Sequence, residues 1–187
     1  MFGWTYRIER EVAGLFLVWY LLLRRHKSFR DLGLVWRIDD LAWAVVLILA
    51  DTISYRLIYN AIYHAGFTAV PMHAASQQIG QILFGSGIVL TTILFQFLNP
   101  FFEELIVRAY LMTEIKFLTK STAYAILAST ILQTSYHFYQ GTPAAVAHGV
   151  AFLMFSIFYA KTNRIMPVIL AHLYADVNPT FWYMFHQ

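Results

Sequence analysis

The sequence predicts an all-α fold, a polytopic transmembrane bundle of about six helices. Three observations predict it. Hydrophobic residues make up 59% of the chain and charged residues only 12%, against about 25% charged in soluble domains. Residues 57–102 and 121–160 contain no Asp, Glu, Lys or Arg, and after Arg164 only Asp176 interrupts the apolar C-terminus. These runs divide into stretches close to the roughly 20 residues that one helical crossing needs. A chain with so little charge cannot wet a globular surface, which excludes a soluble enzyme, a disordered chain and a coiled coil. Its 187 residues suit one domain, 1–187.

Six apolar segments follow in order, at about 10–23, 41–63, 81–102, 122–139, 143–160 and 166–186. The first is short for a full span, and Arg7, Glu9, Arg10 and Glu11 precede it. Arg24-Arg25-His26-Lys27 follows it where a cleavable signal would carry small residues, so it reads as a retained helix. Gly66, Pro71 and Gly80 mark a loop between the second and third segments. Gln140-Gly141-Thr142-Pro143 is a tight turn between the fourth and fifth, with Pro143 suited to a first helical turn.

The formal net charge is +3, but the basic residues lie in short connections and not in a nucleic-acid-binding patch, so no nucleic-acid partner is expected. Lys and Arg occupy 24–30, 116–120 and 161–164, whereas 64–80 and 140–142 have none. With alternating crossings the basic connections share one side, the cytoplasmic one by the positive-inside rule. Arg7 and Arg10 oppose that assignment. The expected location is that of a multi-pass integral membrane protein, the plasma membrane if the source is prokaryotic. The absence of Cys excludes a disulfide framework and a thiolate nucleophile.

Six charges fall inside the predicted spans: Asp51, Arg56, Glu103, Glu104, Arg108 and Asp176. At about 2.5–3.5 kcal/mol for a central charge, unpaired they would cost roughly 15–20 kcal/mol, so they must face one another or water. Asp51 and Arg56, five apart on one helix, read as members of structural ion pairs that hold helices together, with the lining of a pocket as the alternative. Glu104 and Arg108 stand at i and i+4 with the acid first, the favourable order for a helical pair. Glu103, about 100° round an α-helix from Glu104, is left for other work. Asn99-Pro100 can interrupt one helix and start the next, with Glu103 in its first turn. His172 and Asp176 are also i and i+4. Of the seven His residues, His137 and His172 matter most, because with Glu103 they can meet from three helices around one water. His148 reads as a packing residue, and His26, His64, His73 and His186 as interfacial. No His-Glu-x-x-His zinc helix is present. Gly85-Ser86-Gly87 has Phe84 where a rhomboid nucleophile pattern needs glycine, and reads as close helix packing.

These motifs resemble those of the CAAX-protease and bacteriocin-processing (CPBP, or Abi) family of glutamic intramembrane proteases. Glu103-Glu104-Leu-Ile-Val-Arg108 resembles its Glu-Glu-x-x-x-Arg motif, preceded by Pro100. Gln133-Thr-Ser-Tyr-His137 is similar to Phe-x-x-x-His, and His172-Leu-Tyr-Ala-Asp176 to His-x-x-x-Asn/Asp. The resemblance covers about residues 80–180. Gln133, Val107 and Ala109 depart from the pattern and read as packing changes. Asp176 stands where Asn is commoner; an ionised Asp cannot donate to an oxyanion, and two roles stay open for it, orienting His172 or remaining protonated in a buried site.

The resemblance implies an intramembrane endopeptidase that uses no cofactor and no metal. Glu103, helped by His137, would activate water. His172 with Asp176 would hold the oxyanion or the substrate, and Glu104 and Arg108 would support the helix. The implied partners are the lipid bilayer and a peptide or protein substrate. Family substrates include prenylated CAAX C-termini, leader peptides and C-terminal sorting signals. Two alternatives stay open: a non-catalytic immunity or scaffold protein of the same fold, and a metal-dependent membrane hydrolase with Glu103, His137 and His172 as ligands.

Overall fold

A computed structural model of the protein describes residues 3–84 and 90–185. The expectation for Gly85-Ser86-Gly87, like that for His186, lies outside the described residues. Those that are described form helices and short connections, with no strand. In chain order the helices are α1 (Trp4–Leu23), α2 (Asp40–His64), α3 (Met72–Phe84), α4 (Leu90–Glu103), α5 (Leu111–Thr119), α6 (Thr122–Tyr136), α7 (Thr142–Thr162) and α8 (Met166–Phe185). Three are long and apolar enough to cross a membrane: α2, the continuous helix Leu90–Thr119, and α7.

Polarity is distributed inside out. Glu103, Glu104, Arg108, Ser129, Gln133, Ser156 and His172 are buried, while Leu41, Val45, Leu49, Ile53 and Leu57 of α2 are exposed. In water this would leave an apolar surface far larger than the few hundred Å² that soluble monomers show. In a bilayer it satisfies both solvents, because the hydrocarbon takes the Leu and Val side chains and the interior takes the charges. The helices α2, α6, α7 and α8 pack around this interior, with α1 against α4. Close approach of α6 and α7 depends on Gly149, where a Cβ would stand 2.9 Å from Thr134 Oγ1.

The structure corrects two expectations in the middle of the chain. Residues 64–80 are not one loop. Gly66 turns the chain after α2 at φ +78°, but α3 begins at Met72 and runs through Gly80. An isolated glycine costs a helix only about 1 kcal/mol, and the Met, Ala, Gln and Ile around it are acceptable helix formers. Nor does Pro100 start a new helix. It lies inside α4, and the helix then widens into a π-helical turn over Glu104–Tyr110 before α5 resumes α-winding. Proline cannot donate to the carbonyl four residues back, and in a membrane such a defect is absorbed by local rewinding and neighbouring side chains.

The connections that carry the basic residues are joined to one another. Arg25 pairs with Glu114, Tyr159 Oη donates to the Leu32 carbonyl at 3.1 Å, and the Ile165 N–H reaches the Gly33 carbonyl at 3.3 Å. Arg164 holds Asp39 at 2.7 Å and also Asp40. The hydrogen bond from Arg164 keeps the Asp39 carboxyl below the usual carboxylate range. Helices α5 and α7 end in left-handed residues, Lys120 and Asn163, the common way of stopping a helix.

Gly33 is where this end is most constrained. It sits at φ +81°, and a Cβ there would lie 2.0 Å from the Asn163 carbonyl oxygen. Gly33→Ala is expected to lose about 1–2 kcal/mol from the left-handed backbone alone, with the clash in addition. Its unfolding temperature in detergent should fall by several degrees, and an unchanged value would show that the two connections are not packed as described.

Candidate active site

Arg108 is the centre of the buried polar set. It is 0% exposed, and its guanidinium pairs with Glu104, donates to Gln133 Oε1 on α6, and reaches Ser156 Oγ on α7 at 3.4 Å. Its planar head lies 5.5 Å from the Phe155 ring centroid. The Glu104–Arg108 pair expected from i, i+4 spacing is present. Glu104 does not serve Arg108 alone. Glu104 Oε1 also accepts from Gln133 Nε2 at 3.1 Å and lies 2.7 Å from His172 Nδ1.

Glu103, one residue earlier, makes a different set of contacts. Its Oε2 accepts the Tyr136 hydroxyl at 2.7 Å and a long 3.5 Å contact from Gln133 Nε2. It stands 3.9 Å from His172 Nε2, and no ion pair joins it to Arg108 among the described residues. The two neighbouring acids therefore approach the two nitrogens of one imidazole, Glu104 at Nδ1 and Glu103 on the Nε2 side. The 3.9 Å gap is too long for a hydrogen bond and of a length that a bridging water can span.

His137 caps the C-terminal end of α6, and its Nδ1 lies 2.8 Å from the Gln133 carbonyl. A carbonyl can only accept, so Nδ1 carries the proton, and Nε2 is the lone pair of the neutral ring. The ring packs on Phe152 at 4.7 Å and Tyr136 at 4.9 Å, with His148 at 5.9 Å. His148 also meets Tyr55 at 4.5 Å, in keeping with a packing residue. Asp176 Oδ1 is 3.7 Å from His172 Nε2, beyond hydrogen-bond range, while its Oδ2 accepts from Asn99 Nδ2 at 3.0 Å. The group that orients His172 by a hydrogen bond is thus Glu104, not its helical neighbour Asp176.

Among the described residues neither Asp51 nor Arg56 enters an ion pair, so the structural ion pairs expected for them are not found there. Five residues on an α-helix turn about 140° from each other, so Arg56 is exposed on α2 while Asp51 is half-buried. Gln133 is not a packing change either: its amide bonds to Arg108 and both glutamates. Sequence reasoning missed Tyr136, Asn99 and the polar role of Gln133. Helical spacing carried a signal for each, since Gln133, Tyr136 and His137 share one face of α6, and Asn99 stands at i−4 from Glu103.

Loss of one member should be graded by how much charge it strands. Arg108→Ala leaves Glu104 buried without its cation and is expected to cost about 3–5 kcal/mol. Gln133→Ala removes uncharged partners and should cost about 1–3 kcal/mol, with Ser156→Ala below that. Chemical denaturation in detergent measures the series. Equal stability for Arg108→Ala and Ser156→Ala would remove Arg108 from the centre of the set.

Over residues 85–177, about half of the chain, the sequence matches the family described as type II CAAX prenyl endopeptidase Rce1-like. No curated protein and no solved structure gives a match. The matched stretch contains Glu103, Glu104, Arg108, Gln133, His137, His172 and Asp176, the groups that meet at the bundle interior. The chain is an integral membrane protein, and it belongs to the type II CAAX prenyl endopeptidase Rce1-like family of proteases.

Proposed function

We propose that the protein is a multi-pass intramembrane endopeptidase in which Glu103 activates the water that attacks a peptide carbonyl. The observation that carries this reading is the division between the two glutamates: Glu104 is held by Arg108, whereas Glu103 faces Tyr136 and His172. A water between Glu103 and His172 Nε2 gives its proton to the Glu103 carboxylate as its oxygen bonds to the carbonyl carbon. The same carboxyl then returns that proton to the departing amide nitrogen as the C–N bond breaks. His137 presents Nε2 as an acceptor that orients the water. Tyr136 holds the Glu103 carboxylate in one rotamer.

His172 takes the oxyanion role in its doubly protonated form, donating through Nε2, with Glu104 on Nδ1 and Asp176 beside Nε2. Asp176 contributes charge and not a donor, which compensates for the departure from Asn. The water is activated without a metal. The substrate is a membrane-anchored or lipidated peptide of the CAAX, leader or sorting-signal type, reaching an interior enclosed by α2, α4, α6, α7 and α8. The end that carries Lys27, Lys116 and Lys161 faces the cytoplasm.

Glu103→Gln keeps the volume but cannot take a proton, so hydrolysis by the purified protein should fall about 10²–10⁴-fold with the unfolding temperature retained. Normal turnover by this variant would take Glu103 out of the mechanism. Tyr136→Phe should fall by less, about 10–100-fold, the worth of one hydrogen bond to a charged group. Activity should persist after prolonged chelation; loss restored by stoichiometric zinc would transfer Glu103, His137 and His172 to a metal site. For topology, Lys161→Cys in this cysteine-free chain should resist an impermeant thiol reagent applied outside the cell, and labelling there would reverse the orientation.

A further inference from the structure

Helix α1 lies outside the family match. Its buried residues are Trp4, Glu11, Val18 and Leu22, spaced by seven, seven and four, so they form one stripe that faces the bundle. Three of them are the apolar residues such a stripe requires. Glu11 is not, yet it is 1% exposed. Its Oε2 is fully buried with no hydrogen-bond partner, and no ion pair includes it among the described residues. An acid at that position is costly, several kcal/mol for a charge removed from water without a partner.

Helix α1 runs beside α4, with the Trp4 and Phe95 ring centroids 5.0 Å apart and Gly14 against Phe102 and Ile106, so Glu11 between them lies beside the turn of α4 that ends in Glu103. Arg7, one turn earlier, lies over the rings of Trp4 and Phe95 at 5.9 and 5.7 Å. Arg108 is occupied by Glu104, Gln133 and Ser156. Glu103 and Asp176 stand 3.9 and 3.7 Å from His172 Nε2, so α1, α4 and α8 each bring a carboxyl group to this part of the bundle interior. One of them carries a buried acceptor oxygen that the protein's own donors leave unanswered. Such a cluster is complementary to a cation with N–H donors.

We propose that Glu11 is a substrate-binding residue whose carboxylate receives a lysine or arginine side chain of the substrate, close to the bond that Glu103 hydrolyses. The inference rests on the protease reading above and deepens it. Ammonium and guanidinium groups both supply the charge and the directed N–H that Oε2 lacks. An unpaired buried acid that costs stability in the free protein, and is satisfied by the ligand, is the pattern expected of a binding residue.

The test uses the full chain in detergent and quenched-fluorescent hydrophobic peptides that differ only in carrying Lys, Met or Glu at one position flanking the cleaved bond. Wild type should favour Lys over Met at one such position by about tenfold in kcat/KM, chiefly through KM. Glu11→Gln should lower the Lys value to that of Met, and Glu11→Asp should keep part of the preference. Gln retains the volume and removes a buried charge, so its unfolding temperature should hold or rise. A fall in that temperature would make Glu11 structural and overturn the proposal. So would a lysine preference that survives Glu11→Gln, or a wild type indifferent to basic residues at every position. In that last case cleavage that still depends on Glu103 would leave the protease reading standing. If wild type cleaves none of the peptides, both readings fall.

Discussion

The structure depends on one buried cation. Arg108 has no access to solvent, and a guanidinium in that setting must have its donors answered. Glu104, Gln133 and Ser156 answer them from three elements: the π-helical turn, α6 and α7. Satisfying Arg108 therefore fixes the relative position of those elements. In hydrocarbon, where apolar faces gain little by leaving lipid for one another, packing and such polar contacts supply the association that the hydrophobic effect supplies in water.

The same constraint makes the two neighbouring glutamates unequal. Glu104 is drawn into the Arg108 pair and passes its second oxygen to Gln133 and His172. Glu103 closes α4 just before the winding changes, so its carboxylate meets Tyr136 and the other side of the imidazole. Two residues of identical chemistry thus acquire separate environments from a change of helical pitch. π-helical turns recur at functional sites for this reason, since they re-aim side chains without breaking the helix.

Helix α1, outside the matched region, packs along α4 through the stripe that contains Glu11, with Gly14 against Phe102 and Ile106. The first segment, which looks like a flank of charged residues before a short apolar run, is a twenty-residue helix beginning at Trp4. Its charged N-terminal half is part of the bundle.

By itself the amino-acid sequence determined the class of the fold, because uncharged runs of this length have only the membrane as a compatible solvent. It also determined the Glu104–Arg108 pair and the i, i+4 placement of His172 and Asp176, since both follow from helical periodicity within one segment. It offered Glu103, His137 and His172 as companions around one water, and of these the structure brings Glu103 within 3.9 Å of His172 Nε2. The tertiary structure decided everything that needs two segments at once. Gln133 looks like a replaced phenylalanine until α6 is set against Arg108, and Tyr136 has no visible task until Glu103 arrives from α4. Asn99 and Glu104, not the local helical repeat, decide what Asp176 and His172 bond to. Periodicity along one helix cannot say which other helix lies opposite, and burial of a polar group is defined only once that neighbour is in place.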